Sequence, residues 1–393
     1  MTRRSSLPDA VGASGLFLVC WGLVHTWFWS RGQIVDWPTY KEYGTAILDH
    51  GRVPYRDFAV EYPPGALPVF VAATPFADYA GAFAWLMAAC GVALVCVLAS
   101  VRREAAWFAA LTPVLAGSLI LSRFDLWPAL LATAAVALFL RERYGWGWGF
   151  LGAAVAAKLW PLVLVPLALR RSRRGAGWGV AVLALAFLPF VVASPHGVWS
   201  SLSGQASRPL QIESLGAAFA TTFGSPHVVS SHGSQNVTGH GTLAAVSTVA
   251  QVLALLFVWA SYARRPDDLP RHSAAAVTAF IAFGKVLSPQ YLIWLIPLVP
   301  LVRGRRGVGA TALLTVALVL TQVWFPQRYW DYADHLRLAG VVLARDLVLV
   351  ALLALLVWPA RLAGSAEMEH SPSVNVLRTG EDEFGTHAAR SGG

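Results

Sequence analysis

Charge is scarce in this chain. Asp, Glu, Lys and Arg make up 13% of its 393 residues, against about 25% in an ordinary soluble domain. That shortage excludes a chain of several soluble domains. Cysteine is also rare: Cys20, Cys90 and Cys96 are the three, each inside an apolar run. No disulfide framework and no metal motif of the C-x-x-C kind is expected from them. The phosphate-cradling P-loop, a G-x-G-x-x-G opening a helix after a strand, H-E-x-x-H and G-x-S-x-G are all missing. Their absence removes the usual soluble routes to nucleotide binding, zinc proteolysis and ester hydrolysis. No stretch alternates strand and helix patterns, so a soluble nucleotide-sugar domain is not expected either.

What the chain has instead is hydrophobicity, at 56% of residues, with 17 Trp. Its apolar residues come in runs of about 20, the length that crosses a bilayer. The net charge of +9 does not point to nucleic acid. The arginines fall in short clusters between apolar runs, at Arg3-Arg4, Arg102-Arg103, Arg141 with Arg143, Arg170 to Arg174, Arg264-Arg265 and Arg303 to Arg306. That is the positive-inside pattern of a polytopic membrane protein. The expected fold class is an all-α polytopic membrane bundle, with both termini in the cytoplasm of a multi-pass cell-membrane protein. Full spans are expected at about 11–29, 79–101, 105–121, 126–140, 178–193, 242–263, 308–325 and 338–360. Residues 1–363 form one transmembrane domain, and 364–393 read as a disordered cytoplasmic tail. The first apolar run ends in "VHTWFWS", with no small-x-small cleavage site, and is expected to stay as the first helix.

Two segments resist this alternation. Residues 147–169 and 273–302 each begin and end at basic clusters on the same side. Each carries one central lysine, Lys158 or Lys285, and a proline three or four residues later, Pro161 or Pro289. Both read as broken helical hairpins with the lysine at the apex near the outer leaflet. Such breaks are tolerated where they line a protein-buried cavity. The plainer alternative is a snorkelling lysine on a continuous helix. Residues 66–77 are too short to span and read as an interfacial or re-entrant piece.

The outer face collects the carboxylates. The first outer loop, 31–65, reads "RGQIVDWPTYKEYGTAILDHGRVPYRDFAVEYPPG". Asp36 lies just past the first helix, where a carboxylate can take a proton from an acceptor hydroxyl. It is equally an N-cap for the short helix that begins at Trp37-Pro38. Glu61 is a second candidate carboxylate, or else a partner for Arg52 or Arg56. Lys158 and Lys285 suit a lipid phosphate, whose negative charge grows as it leaves. Arg208 and Glu213, in the outer "RPLQIES", add a cation and an acid, or form a loop ion pair. Trp37, Tyr40, Tyr62, Trp199, Tyr291 and Trp294 flank these positions, as sugar-lining rings or as interfacial belts. His227, His232 and His240 share one outer loop, but their spacing fits no standard metal site. Arg345-Asp346, inside the last helix, reads as an ion pair facing a cavity or a neighbouring helix.

Four motifs in this order, the first outer loop, "AAVAAKLWPLVLVPLAL", "RPLQIES" and "FGKVLSPQYLIWLIPL", resemble the polytopic glycosyltransferases of the GT-C class. The chain looks most similar to glycosyltransferase family 87, over roughly residues 15–360. The resemblance implies an inverting transfer outside the cytoplasmic membrane, from a polyprenyl-phosphate-linked hexose, mannose in known members, to a lipid or glycan acceptor. It implies neither a cofactor nor a metal. It puts the catalytic base at Asp36. The class often has an acidic pair in this loop; "VDW" offers one acid, so Glu42, Asp57 or Glu61 would fill a second role. Lys158, Lys285 and Arg208 would hold the donor phosphate. Trp37, Tyr40, Tyr62, Glu213, Gln290, Tyr291 and His335 would contact sugar or acceptor. The rival reading is a lipid or solute transporter with its site between the two broken hairpins; a third is a non-catalytic membrane scaffold.

Overall fold

The computed structural model describes residues 7–29, 35–264 and 266–358. Arg3, Arg4, Arg31, Arg265 and the 364–393 segment lie outside the described residues. The described residues through Val357 form one compact unit. This unit is overwhelmingly helical, as expected of a polytopic membrane protein.

Among the described residues six helices are long and apolar enough to cross a membrane: Leu7–Trp27, Tyr79–Ala99, Ala176–Ala193, Gly241–Arg264, Gly304–Trp324 and Ala339–Val357. Two segments expected as full spans are shorter. The 105–121 expectation becomes Arg103–Ala116 followed by a separate turn, Leu119–Ser122. Gly117 makes the break, with φ +57, a conformation that only glycine adopts cheaply. The 126–140 expectation holds its bounds as Leu126–Leu140, a helix of 15 residues.

Both lysine segments are broken where the sequence places the break. Helix Tyr144–Ala157 stops at Lys158, whose backbone is extended at φ −159, ψ 145. A 3-10 turn, Trp160–Leu164, and a short helix, Val165–Arg171, return the chain. Pro161 and Pro166 lack the N–H that would continue an α-helix. In the second segment, helix Leu269–Ala282 gives way around Gly284 and Lys285, and 3-10 turn Pro289–Trp294 follows. This helix starts earlier than expected, because the Asp268 side chain accepts from the Arg271 N–H at 3.3 Å and caps it.

Residues 194–240 are the largest departure from the expected loop. They contain helices Pro195–Ala206 and Leu215–Phe223 and a small antiparallel sheet. Strand Ser234–Val237 lies between Leu210–Gln211 and Val228–Ser231. His232 and Gly233, at φ 52 and 66, form the two-residue turn whose twist suits a hairpin. A two-residue strand and two four-residue strands are too short for a period-2 pattern to stand out.

Small residues let the elements around Lys158 approach closely. A Cβ on Gly152 would meet the Gly179 carbonyl oxygen at 2.5 Å, so helices Tyr144–Ala157 and Ala176–Ala193 cross nearly backbone to backbone. A Cβ on Gly65 would lie 2.5 Å from the Ala156 carbonyl carbon. The "YPPG" turn of the 31–65 segment therefore rests on the last turn before Lys158, and Trp127 Nε1 donates to the Gly65 carbonyl at 3.1 Å.

Candidate active site

The site is assembled around three consecutive residues, Arg123, Phe124 and Asp125, between the turn Leu119–Ser122 and helix Leu126–Leu140. Arg123 is extended at φ −119, ψ 141, and Phe124 and Asp125 form the turn that leads into the next helix. Its guanidinium forms an ion pair with the Asp36 carboxylate. Asp125 accepts from Lys158 Nζ at 2.7 Å and from Trp294 Nε1 at 2.6 Å, both at Oδ1. One tripeptide thus ties the segment that follows the first helix, the first broken hairpin and the second broken hairpin together.

Asp36 occupies the position before helix Trp37–Leu48, yet its side chain makes no capping hydrogen bond. The carboxylate turns instead to Arg123, and the Tyr40 hydroxyl donates to it at 3.4 Å. Capping therefore does not account for Asp36. Its side chain is 28% exposed against 7% for Arg123, so the acid stands between the buried cation and the open side. Trp37 follows it directly, with an indole N–H that is buried and lacks a partner in the protein.

The tyrosines split between wall and support. Tyr40 is 1% exposed and stacks on Phe70 at 4.3 Å. Tyr62 stands edge-on to Tyr40 at 5.7 Å and to Phe124 at 5.1 Å. Tyr40 therefore supports Asp36 from inside an aromatic cluster and does not line open space. Around Lys158 the rings of Phe124, Tyr291 and Trp294 stand 4.8, 5.5 and 5.2 Å from the ammonium. Such rings favour a cation held out of water. Tyr291 stacks on Trp294 at 4.1 Å, and Trp160 on its other flank at 5.0 Å.

The remaining sequence-selected residues scatter. Asp57 is committed to its own turn: it accepts from the Val53 N–H at 2.7 Å and pairs with Arg56 at 2.8 Å. The Arg56 hydrogen bond, with that of Val53, pulls its carboxyl down to about 2. Arg52 donates to the Asp57 carbonyl at 2.6 Å. Both arginines thus serve Asp57, and no ion pair of theirs with Glu61 exists among the described residues. Glu61 and Glu42 are exposed. Glu42 lies on the outer side of its helix, in a cleft of about 460 Å³ with Trp37, Lys41, His50 and Arg52. Arg208 donates to the His232 carbonyl at 3.2 Å and to Ser234 Oγ at 3.1 Å, which anchors it to the small sheet. Its charge still acts on Lys158 and Tyr291. Lys285 sits in the second break, where its carbonyl accepts from the Gln211 N–H at 2.9 Å. Gln290 accepts from Ser288 Oγ beside it. His335 is exposed past helix Tyr329–Ala333.

Glu213 is 2% exposed. Burial pushes its carboxyl up to about 7, against the pull of its own backbone amide, Arg345 and Gln211. Its charge field reaches Arg123 and Tyr329. Arg345 donates to the Glu213 carbonyl at 2.9 Å and pairs with Asp346 at 2.6 Å, both side chains fully buried. The Arg345 bond to that carbonyl joins the last helix to the segment around Glu213.

Sequence reasoning missed Arg123 and Asp125, which looked like ordinary residues of the "SRFD" turn. The available signal was two opposite charges flanking an aromatic between two strongly apolar runs. Lys158 also differs from expectation: it is already paired with Asp125 and is not a free cation. Among the described residues no group of three or more His, Cys, Asp and Glu side chains gathers closely enough to hold a metal ion.

Comparison with known families agrees with this architecture. The model of glycosyltransferase family 87 matches residues 60–289, more than half of the chain. The model of mannosyltransferase (PIG-M) matches residues 224–358. No curated protein matches the chain.

Proposed function

The chain belongs to glycosyltransferase family 87, and from that premise we propose that it moves a hexose, mannose first among the candidates, from a polyprenyl-phosphate donor to a glycolipid or cell-envelope glycan on the outer face of the membrane. It is a multi-pass membrane glycosyltransferase. The donor, the acceptor, the sidedness and inversion at the anomeric carbon are the parts proposed. Its family membership removes the ground for the transporter reading.

The observation that carries the mechanism is the Arg123–Phe124–Asp125 strip. It holds Asp36 at one end and Lys158 at the other. In the proposed reaction the acceptor hydroxyl comes to Asp36, which takes its proton. The hydroxyl oxygen forms a bond to the anomeric carbon as the bond from that carbon to the phosphate oxygen breaks. The departing lipid phosphate gains negative charge, and fixed cations stabilise that state more than the ground state. Lys158, with Arg208 acting on the same space and Lys285 in the second break, is proposed to supply them. Since Asp125 already neutralises part of Lys158, the cluster is suited to growing charge and would hold a resting phosphate only weakly.

The test is direct. Purified protein in lipid nanodiscs, given polyprenyl-phosphate-mannose and a membrane glycolipid fraction, should transfer the sugar, and Asp36→Ala should not. Turnover by a folded Asp36→Ala protein removes Asp36 from the role of base. Mass spectrometry of envelope glycolipids from a deletion strain identifies the acceptor by the species that loses a hexose.

A further inference from the structure

A carboxylate that serves as base must be ionised and aimed before the acceptor arrives. On the proposed reading of Asp36 as that base, we infer that Arg123 is its positioning residue, keeping the carboxylate charged and oriented through the catalytic cycle. The guanidinium reaches Asp36 from a turn that Gly117 opens and Asp125 closes. Arginine remains charged in a dry setting and offers its donors in a fixed plane, which suits it to orient a carboxylate. Lysine would provide the charge without the plane.

Two observations argue for more than a tether between loop and bundle. Tyr40 donates to Asp36 Oδ2, the oxygen that also meets Arg123. One oxygen is thus fixed from two sides, and the acid remains partly exposed. In addition, the Arg123 Nε–H is buried and has no protein partner. The guanidinium is therefore not used up by Asp36. The charged and titratable groups that bear on this pair are Tyr40 from the adjoining helix, Asp125 from the strip, Lys158 from the first break, Glu213 from the 207–214 segment, and Tyr329 from the helix near the last span.

The test is the pH profile of kcat in nanodiscs for wild type, Arg123→Gln, Arg123→Lys and Asp36→Asn, each checked for folding by thermal unfolding. Loss of a neighbouring positive charge makes a carboxylate easier to protonate, by about one pH unit or more. Arg123→Gln should therefore move the acidic limb of kcat up by about one pH unit or more, so that its deficit approaches about tenfold on the acid side of both limbs and shrinks as pH rises. Arg123→Lys should keep the acidic limb near that of wild type and lose kcat several-fold at all pH values. A tether alone predicts a loss in Arg123→Gln that does not vary with pH, and that result overturns the inference. Should Arg123→Gln fail to fold, Arg123→Lys decides: wild-type kcat, or an acidic limb displaced by a full unit, overturns it. Turnover by Asp36→Asn instead defeats the base reading itself, so the two failures remain distinguishable.

Discussion

Lys158 donates to the buried Asp125 carboxylate, 33 residues away in sequence, at 2.7 Å. The lysine is 16% exposed and the aspartate 1%. A charge pair so enclosed depends on both members. Removing one leaves the other buried and unpaired, at a cost of about 3–5 kcal/mol. Asp125→Ala should therefore lower the midpoint of thermal unfolding in detergent substantially. A double variant, Asp125→Leu with Lys158→Met, should regain much of that stability while remaining unable to transfer sugar. Light-scattering melts and a transfer assay on the same samples check both halves.

Gly65 should not tolerate a side chain. An added Cβ would press on backbone atoms of Ala156 and Ala157 at 2.5 to 2.7 Å, and backbone cannot swing aside as a flexible side chain can. Gly65→Ala should push the "YPPG" turn off the end of the Lys158 helix, costing about 1–3 kcal/mol as an overpacking change and reducing transfer. Gly204→Ala, at a glycine with open space around it, is the matched control and should behave like wild type.

Glu213 predicts a pH dependence of stability. Its folded carboxyl titrates at about 7, above its ordinary value of 4.5. The folded state therefore binds the proton more tightly than the unfolded state. Stability should fall as pH rises from about 4.5 to 7, then stop changing from this source. Glu213→Gln, which stays neutral, should flatten that decline. Unfolding midpoints at pH 5, 6, 7 and 8 read the difference directly, and parallel curves for the two proteins would count against it.

Asp57 should matter for shape and little for chemistry. Its oxygens are engaged by Val53 and Arg56 within its own turn. Asp57→Asn keeps part of that bonding and should retain transfer within a few-fold of wild type. A loss comparable to that of Asp36→Ala would restore Asp57 as a reacting group.

Much of the architecture was legible because bilayers impose strong rules. The apolar run lengths marked six helices able to cross a membrane, though two further expected spans are shorter helices, and a lysine followed by proline marked both breaks. The site was only half legible. Asp36 stood out because it lies just past the first apolar run, although it read equally as an N-cap, but its ion-pair partner Arg123 did not stand out. Ion pairs across distant segments leave no periodic trace, and "SRFD" satisfies the composition of an ordinary turn. Tyr40 and Asp57 misled for the opposite reason. Residue type and neighbourhood matched a binding role, whereas packing on Phe70 and a local turn had already claimed them. The small sheet escaped notice because its strands are too short to show alternation.

Helices Ala176–Ala193 and Gly241–Arg264 are the least buried of the membrane-capable helices, so each leaves a long face open to lipid chains. At about 1.5 Å of rise per residue, their 18 and 24 residues correspond to roughly 27 and 36 Å. A bilayer of uniform thickness cannot match both when they stand upright. The longer helix must lean, or the membrane must thin beside the shorter one, and transfer rates should therefore respond to the acyl-chain length of the lipids that surround the protein.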